Sequence, residues 1–88
     1  MQFPNLKILL AEDDEDDVIL IREFIRDGFP ATNLHFDWAF SASDALSHLE
    51  NNDYNFCFFD FRLGEKNGLE LLRSVREKGY TLPIIFLT

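Results

Sequence analysis

Positive charge, sulfur and long apolar runs are all scarce in this sequence. Eight Lys and Arg stand against sixteen Asp and Glu, a formal charge of -8. A chain this acidic cannot displace counterions from a phosphate backbone, so nucleic acid is an unsuitable partner for this domain, and a cation or a basic partner surface suits it better. The single cysteine, Cys57, excludes a disulfide framework within the chain and fits a reducing compartment. Placed in the apolar run FCFF, it reads as a buried core thiol. No stretch approaches the roughly 18 apolar residues of a membrane span. The opening MQFPNLK has neither the charged start nor the apolar stretch of a signal peptide. The expectation is a cytoplasmic protein with no membrane partner. With three prolines and four glycines, the sequence also shows no linker, repeat or low-complexity segment.

What is present is apolar mass and local acid. Hydrophobic residues make up 47% of the 88, ten of them Phe, enough for one small domain over residues 1–88 with modest stability. Trp38 and the phenylalanines are expected in its core. Behind the apolar run LKILL comes AEDDEDD, in which Glu12 through Asp17 are all acidic. Such crowding costs energy unless a cation, a helix end or water absorbs the repulsion.

The apolar pattern predicts alternating strands and helices. Leu6 to Ala11 reads as a fully buried strand. A helix follows from about Asp16 to Asp27, with Val18, Ile21, Phe24 and Ile25 at helical spacing and Gly28 and Pro30 beyond its end. Residues 34–40 read as a second strand, and a helix capped by Ser41 or Ser43 runs to about Asn51 on an apolar face of Ala45, Leu46 and Leu49. Phe56 to Phe59 is a third strand ended by Asp60, and RLGEKNG reads as a loop. Leu69, Leu72 and Val75 mark a third helix closed by Lys78 and Gly79, and Pro83 to Thr88 is a fourth strand. The order βαβαβαβ implies right-handed crossovers and an α/β fold, a parallel sheet covered by helices on both faces.

In such a sheet all strand C-termini share one edge, where ligands bind. Glu12 and Asp13 end the first strand, Asp60 the third and Thr88 the fourth. If the first and third strands are neighbours, as in the flavodoxin-like order 2-1-3-4, the carboxylates converge. Mg²⁺ is the natural counter-ion, since it takes oxygen ligands and needs only two carboxylates and a backbone carbonyl alongside water. A cation there would also make Asp60 usable as a nucleophile toward a phosphoryl group, with the Thr88 hydroxyl donating to a phosphoryl oxygen.

The motifs ILLAEDDEDD, CFFDFRLGEKNGLELL and LPIIFLT, in this order and spacing, resemble the receiver domain of two-component response regulators over essentially the whole chain. The resemblance implies a phosphoacceptor that takes a phosphoryl group on Asp60 from a histidine kinase or a phosphotransfer protein, with Mg²⁺ required. It assigns Glu12 and Asp13 to the acidic metal pair, Arg62 to a backbone carbonyl ligand and Thr88 to the phosphoryl-sensing hydroxyl. Gly64 stands where the family usually has Pro, and Asn67 where an acidic residue often precedes the glycine. The family also carries a Lys at the end of a fifth strand, and none of Lys7, Lys66 and Lys78 can be given that role. The expectation is a chain truncated after the fourth strand, lacking the last βα portion. Its bare Pro83 to Thr88 edge should pair with a second copy to make a homo-oligomer.

Other readings fit less well. A phosphatase with an Asp nucleophile would need a second Asp where Arg62 stands, an EF-hand starting at Asp13 would need Gly where Val18 stands, and no glycine-rich phosphate loop is present. A docking module that no longer switches is the more serious alternative. Asp14 and Glu15 are expected to face solvent at the site rim, Asp16 and Asp17 to begin the first helix, and His35 and His48 to lie on the surface.

Overall fold

The computed structural model describes residues 5–30, 33–64 and 66–87. Its elements are β1 (Asn5–Ala11), α1 (Glu15–Gly28), β2 (Asn33–Ala39), α2 (Ala42–Asn51), β3 (Phe56–Asp60), β4 (Arg62–Leu63), β5 (Lys66–Asn67), α3 (Gly68–Glu77) and β6 (Ile84–Leu87). The main sheet is parallel throughout and ordered β2-β1-β3-β6, the expected 2-1-3-4 with β6 as its fourth strand. No helix among the described residues is long and apolar enough to cross a membrane.

Period-two alternation along β1 separates two cores. Leu9 and Ala11 face one side, where they join Ala42, Ala45 and Leu49 of α2 and Leu71 and Val75 of α3. Ile8 and Leu10 face the other, against Val18 and Ile25 of α1. The result is three layers, two helices on one face and one on the other. Phe59 and Cys57 are completely buried on the two-helix side, and burial pushes the Cys57 thiol up to about 12.

The helix starts follow from capping. Asp14 accepts from the Asp16 N–H at 2.9 Å, so α1 begins at Glu15, one residue before the expected Asp16. Ser41, not Ser43, caps α2 by accepting from the Asp44 N–H, and Asn67 caps α3 by accepting from the Glu70 N–H.

Four expectations need correction. The segment after Asp60 is not an open loop: Arg62–Leu63 and Lys66–Asn67 pair antiparallel, with Gly64 at a φ of 59° in the left-handed region and Leu63 buried as an anchor. In α3 the inward face carries Gly68, Leu71 and Val75, while Leu69 is 49% exposed. The aromatic residues are not uniformly core: Phe24 is 80% exposed, and Phe29, Trp38, Phe40 and Phe61 are exposed as well. Phe24 follows the helical spacing of its neighbours but lies at the edge of the stripe, along a groove lined by Leu20, Ile21, Phe29 and Leu87. His35 is exposed as expected, whereas His48 is half-buried between the Tyr54 hydroxyl, 3.3 Å from its Nδ1, and the Asp44 carboxylate, 3.7 Å from its Nε2.

Candidate functional site

The strand order places the C-terminal ends of β1 and β3 side by side, with Ala11 opposite Phe59 in register. Glu12 and Asp13 follow Ala11 directly, and Asp60 follows Phe59, so three carboxyls meet at one sheet edge. Each offers an oxygen within 4.8 Å of the others. Glu12 is buried, Asp60 half-buried and Asp13 exposed, a gradient leading from the core to solvent.

Backbone groups hold this arrangement. The Glu12 N–H donates to the Ala39 carbonyl at 3.0 Å, continuing the β1–β2 ladder by one residue. The Glu12 Oε1 accepts from the Asp14 N–H at 3.1 Å, and Asp13 Oδ2 accepts from the Gly64 N–H at 3.3 Å. On the other side the Phe61 N–H donates to Leu87, and the Gly68 N–H donates to Phe61 at 2.7 Å. Gly68 is required by close approach: a Cβ there would lie 2.7 Å from the Phe86 ring and 2.8 Å from the Asp60 carbonyl. The start of α3 therefore packs directly against the backbone that carries Asp60.

Burial is the largest influence on Glu12 and raises its carboxyl to about 7. The Asp14 N–H opposes that rise, and contacts with Asp13 and the Asp60 charge add to it. A cleft of about 480 Å³ opens beside the acids, lined by Glu12, Asp17, Leu20, Ile21, Asp60, Phe86 and Leu87.

Asp14, Glu15, Asp16 and Asp17 are all solvent-exposed. Asp17 nevertheless lines the cleft, and its carboxyl is raised by partial desolvation and then by the charges of Asp14 and Asp60. Sequence reasoning treated Asp17 only as a helix start. Its position one helical turn after the cap is the signal that it turns back toward the strand ends. Arg62 lies exposed in β4. Thr88 lies outside the described residues. Lys7 is committed elsewhere, donating to Asn52 Oδ1 at 3.0 Å and standing over the Tyr54 ring, and Lys78 Nζ is 3.9 Å from Glu50. A residue the sequence reading did not connect to the site is Trp38, whose indole Nε1–H donates to the Glu12 carbonyl at 2.6 Å.

A parallel sheet of this order, with acids converging at its C-terminal edge, defines an α/β domain of the receiver type. The profile of the response regulator receiver domain matches residues 8–88, and the chain belongs to that family. It is 36% identical over 84 residues to the transcriptional regulatory protein RprY of Bacteroides fragilis, an alignment covering 96% of this chain and 34% of that protein. Among solved structures it resembles the non-phosphorylated HemR receiver domain from Leptospira biflexa, with a TM-score of 0.75 and 30% identity over 94% of this chain and 64% of that one. The MaeR response regulator bound to beryllium trifluoride shares the fold with a TM-score of 0.81 at 23% identity, over 94% of this chain and 66% of that one. The chain thus spans about a third of the length of the curated relatives it matches.

Proposed function

We propose that this domain is a phosphoacceptor of a two-component system, with Asp60 as the acceptor and Mg²⁺ as the required cation. The observation that carries this reading is the convergence of Glu12, Asp13 and Asp60, whose oxygens lie within 4.8 Å of one another at the end of β1 and β3. The donor set fits a hard divalent cation, because it is all oxygen and draws three carboxyls to one edge, where a positive charge would relieve their mutual repulsion. Glu12, Asp13 and Asp60 would hold the ion, with the Arg62 backbone carbonyl as a further ligand. When bound, Mg²⁺ neutralises charge on the acids and on the phosphoryl oxygens.

The remaining work falls to the chain. An Asp60 carboxylate oxygen attacks phosphorus in a phosphohistidine of a histidine kinase or phosphotransfer protein. The P–O bond forms, the P–N bond breaks, and the imidazole leaves with the electron pair and takes up a proton. The β4–β5 hairpin and the close contact at Gly68 fix the Asp60 backbone while the cleft keeps its carboxylate accessible. The Thr88 hydroxyl would donate to a phosphoryl oxygen. Such a domain carries a signal and turns over no substrate of its own, and it works in the cytoplasm. A second copy of the chain is proposed as a further partner, through the edge of β6.

The test is a Mg²⁺ titration of the metal-free chain followed by the fluorescence of Trp38, beside Asp13→Ala. The expected result is a saturable response in the wild type that the variant loses. Equal responses from both would overturn the assignment of the metal pair.

A further inference from the structure

Trp38 is a large ring on β2, yet 38% of it is exposed, and its neighbour Phe40 is exposed too, with ring centroids 6.5 Å apart. A partly exposed Trp with its N–H near a polar partner is the usual arrangement for a ring with one apolar and one polar end. The indole N–H of Trp38 has such a partner.

β2 ends at Ala39, whose carbonyl accepts from the Glu12 N–H at 3.0 Å. The Glu12 carbonyl, on the next peptide, is met by the Trp38 indole at 2.6 Å. Both peptide planes flanking Glu12 are therefore tied to β2, one by main chain and one by a side chain. The second plane also contains the Asp13 nitrogen, because a carbonyl and the following N–H share one rigid peptide. Fixing that carbonyl fixes where the Asp13 Cα begins. Asp13 has one further hold among the described residues, the 3.3 Å bond from the Gly64 N–H in the β4–β5 hairpin.

We propose that Trp38 is a positioning residue for the acidic site, its indole N–H setting the Glu12–Asp13 peptide so that the Asp13 carboxylate stands beside Asp60. The inference rests on the cation-site reading above and deepens it. Outer-shell groups of this kind orient the groups that meet a metal, and their loss weakens metal binding on the order of tenfold or more.

The probe is Mn²⁺ alone, with the free ion counted by paramagnetic resonance so that the readout does not depend on tryptophan fluorescence. Wild type, Trp38→Phe, Phe40→Leu and Asp13→Ala are compared, each with its metal-free urea midpoint. Trp38→Phe keeps a ring and removes the donor, and its Kd should rise about tenfold. Phe40→Leu changes the adjoining ring but not the donor, and its Kd should stay that of the wild type. If wild type and Asp13→Ala bind alike, the site reading fails and this inference falls with it. If Asp13→Ala loses binding while Trp38→Phe binds as the wild type does, the role of Trp38 alone is overturned. Parallel losses in Trp38→Phe and Phe40→Leu, tracking their urea midpoints, would reduce Trp38 to packing and overturn it too. Hydrogen exchange of the indole N–H in the wild type covers the case in which Trp38→Phe does not fold. A slowly exchanging signal agrees with the bond to Glu12, and one exchanging as fast as a free indole refutes it.

Discussion

Replacing Glu12 by Gln should make the metal-free chain more stable at neutral and alkaline pH. Glu12 is 4% exposed, and burial, with the nearby Asp13 and Asp60, raises its carboxyl from 4.5 to about 7. Between those two values the folded chain holds a proton that the unfolded chain has released. The associated stability is fully present below about pH 4.5 and is lost as the pH rises through about 7. The displacement corresponds to about 3 kcal/mol, a large share of the stability of so small a domain. Gln cannot ionise, yet its amide oxygen can still accept from the Asp14 N–H that Glu12 Oε1 now meets at 3.1 Å. In a chelating buffer, urea unfolding followed by Trp38 fluorescence from about pH 5 to about pH 8 should show wild-type stability falling. Glu12→Gln should fall much less, exceeding the wild type by up to about 3 kcal/mol at the upper end. Mg²⁺ should raise wild-type stability most at the upper end of that range. Identical pH slopes for the two chains would refute the claim that an uncompensated buried carboxyl sits at the heart of this site.

Gly68→Ala should cost about 1–3 kcal/mol of stability, because its Cβ would meet the Phe86 ring at 2.7 Å and the Asp60 carbonyl at 2.8 Å. A urea midpoint unchanged from the wild type would show that the start of α3 does not clamp Asp60.

The layered fold was legible because the signals that set it are local and repeated. Short apolar runs at Leu6–Ala11, interrupted only by Lys7, and at Phe56–Phe59 have the length and composition of sheet-core strands, and the strand–helix alternation leaves few topologies. The acids were legible for the same reason, since strand ends in a parallel sheet fall on one edge. What escaped depended on side-chain reach and on register. Leu63 looked like a loop residue because a two-residue strand carries no periodicity, and only the turn at Gly64 gives it a partner. Phe24 and Leu69 satisfied helical spacing while lying at the margin of their stripes, where the covering element decides burial and the sequence pattern does not. The bond from Trp38 to Glu12 joins residues 26 apart in sequence, and no spacing rule relates an indole N–H to a carbonyl on the neighbouring strand.

The central claim is that Asp60 accepts a phosphoryl group with the help of the acids beside it. The most direct measurement is to treat the chain with acetyl phosphate and Mg²⁺, trap any acyl phosphate by reduction, and locate it by peptide mass mapping, with Asp60→Asn alongside. A single modification on the peptide carrying Asp60, absent in Asp60→Asn and lost on chelation of Mg²⁺, is the expected result. Modification at Asp14 or Asp53, or equal labelling of wild type and Asp60→Asn, would contradict it.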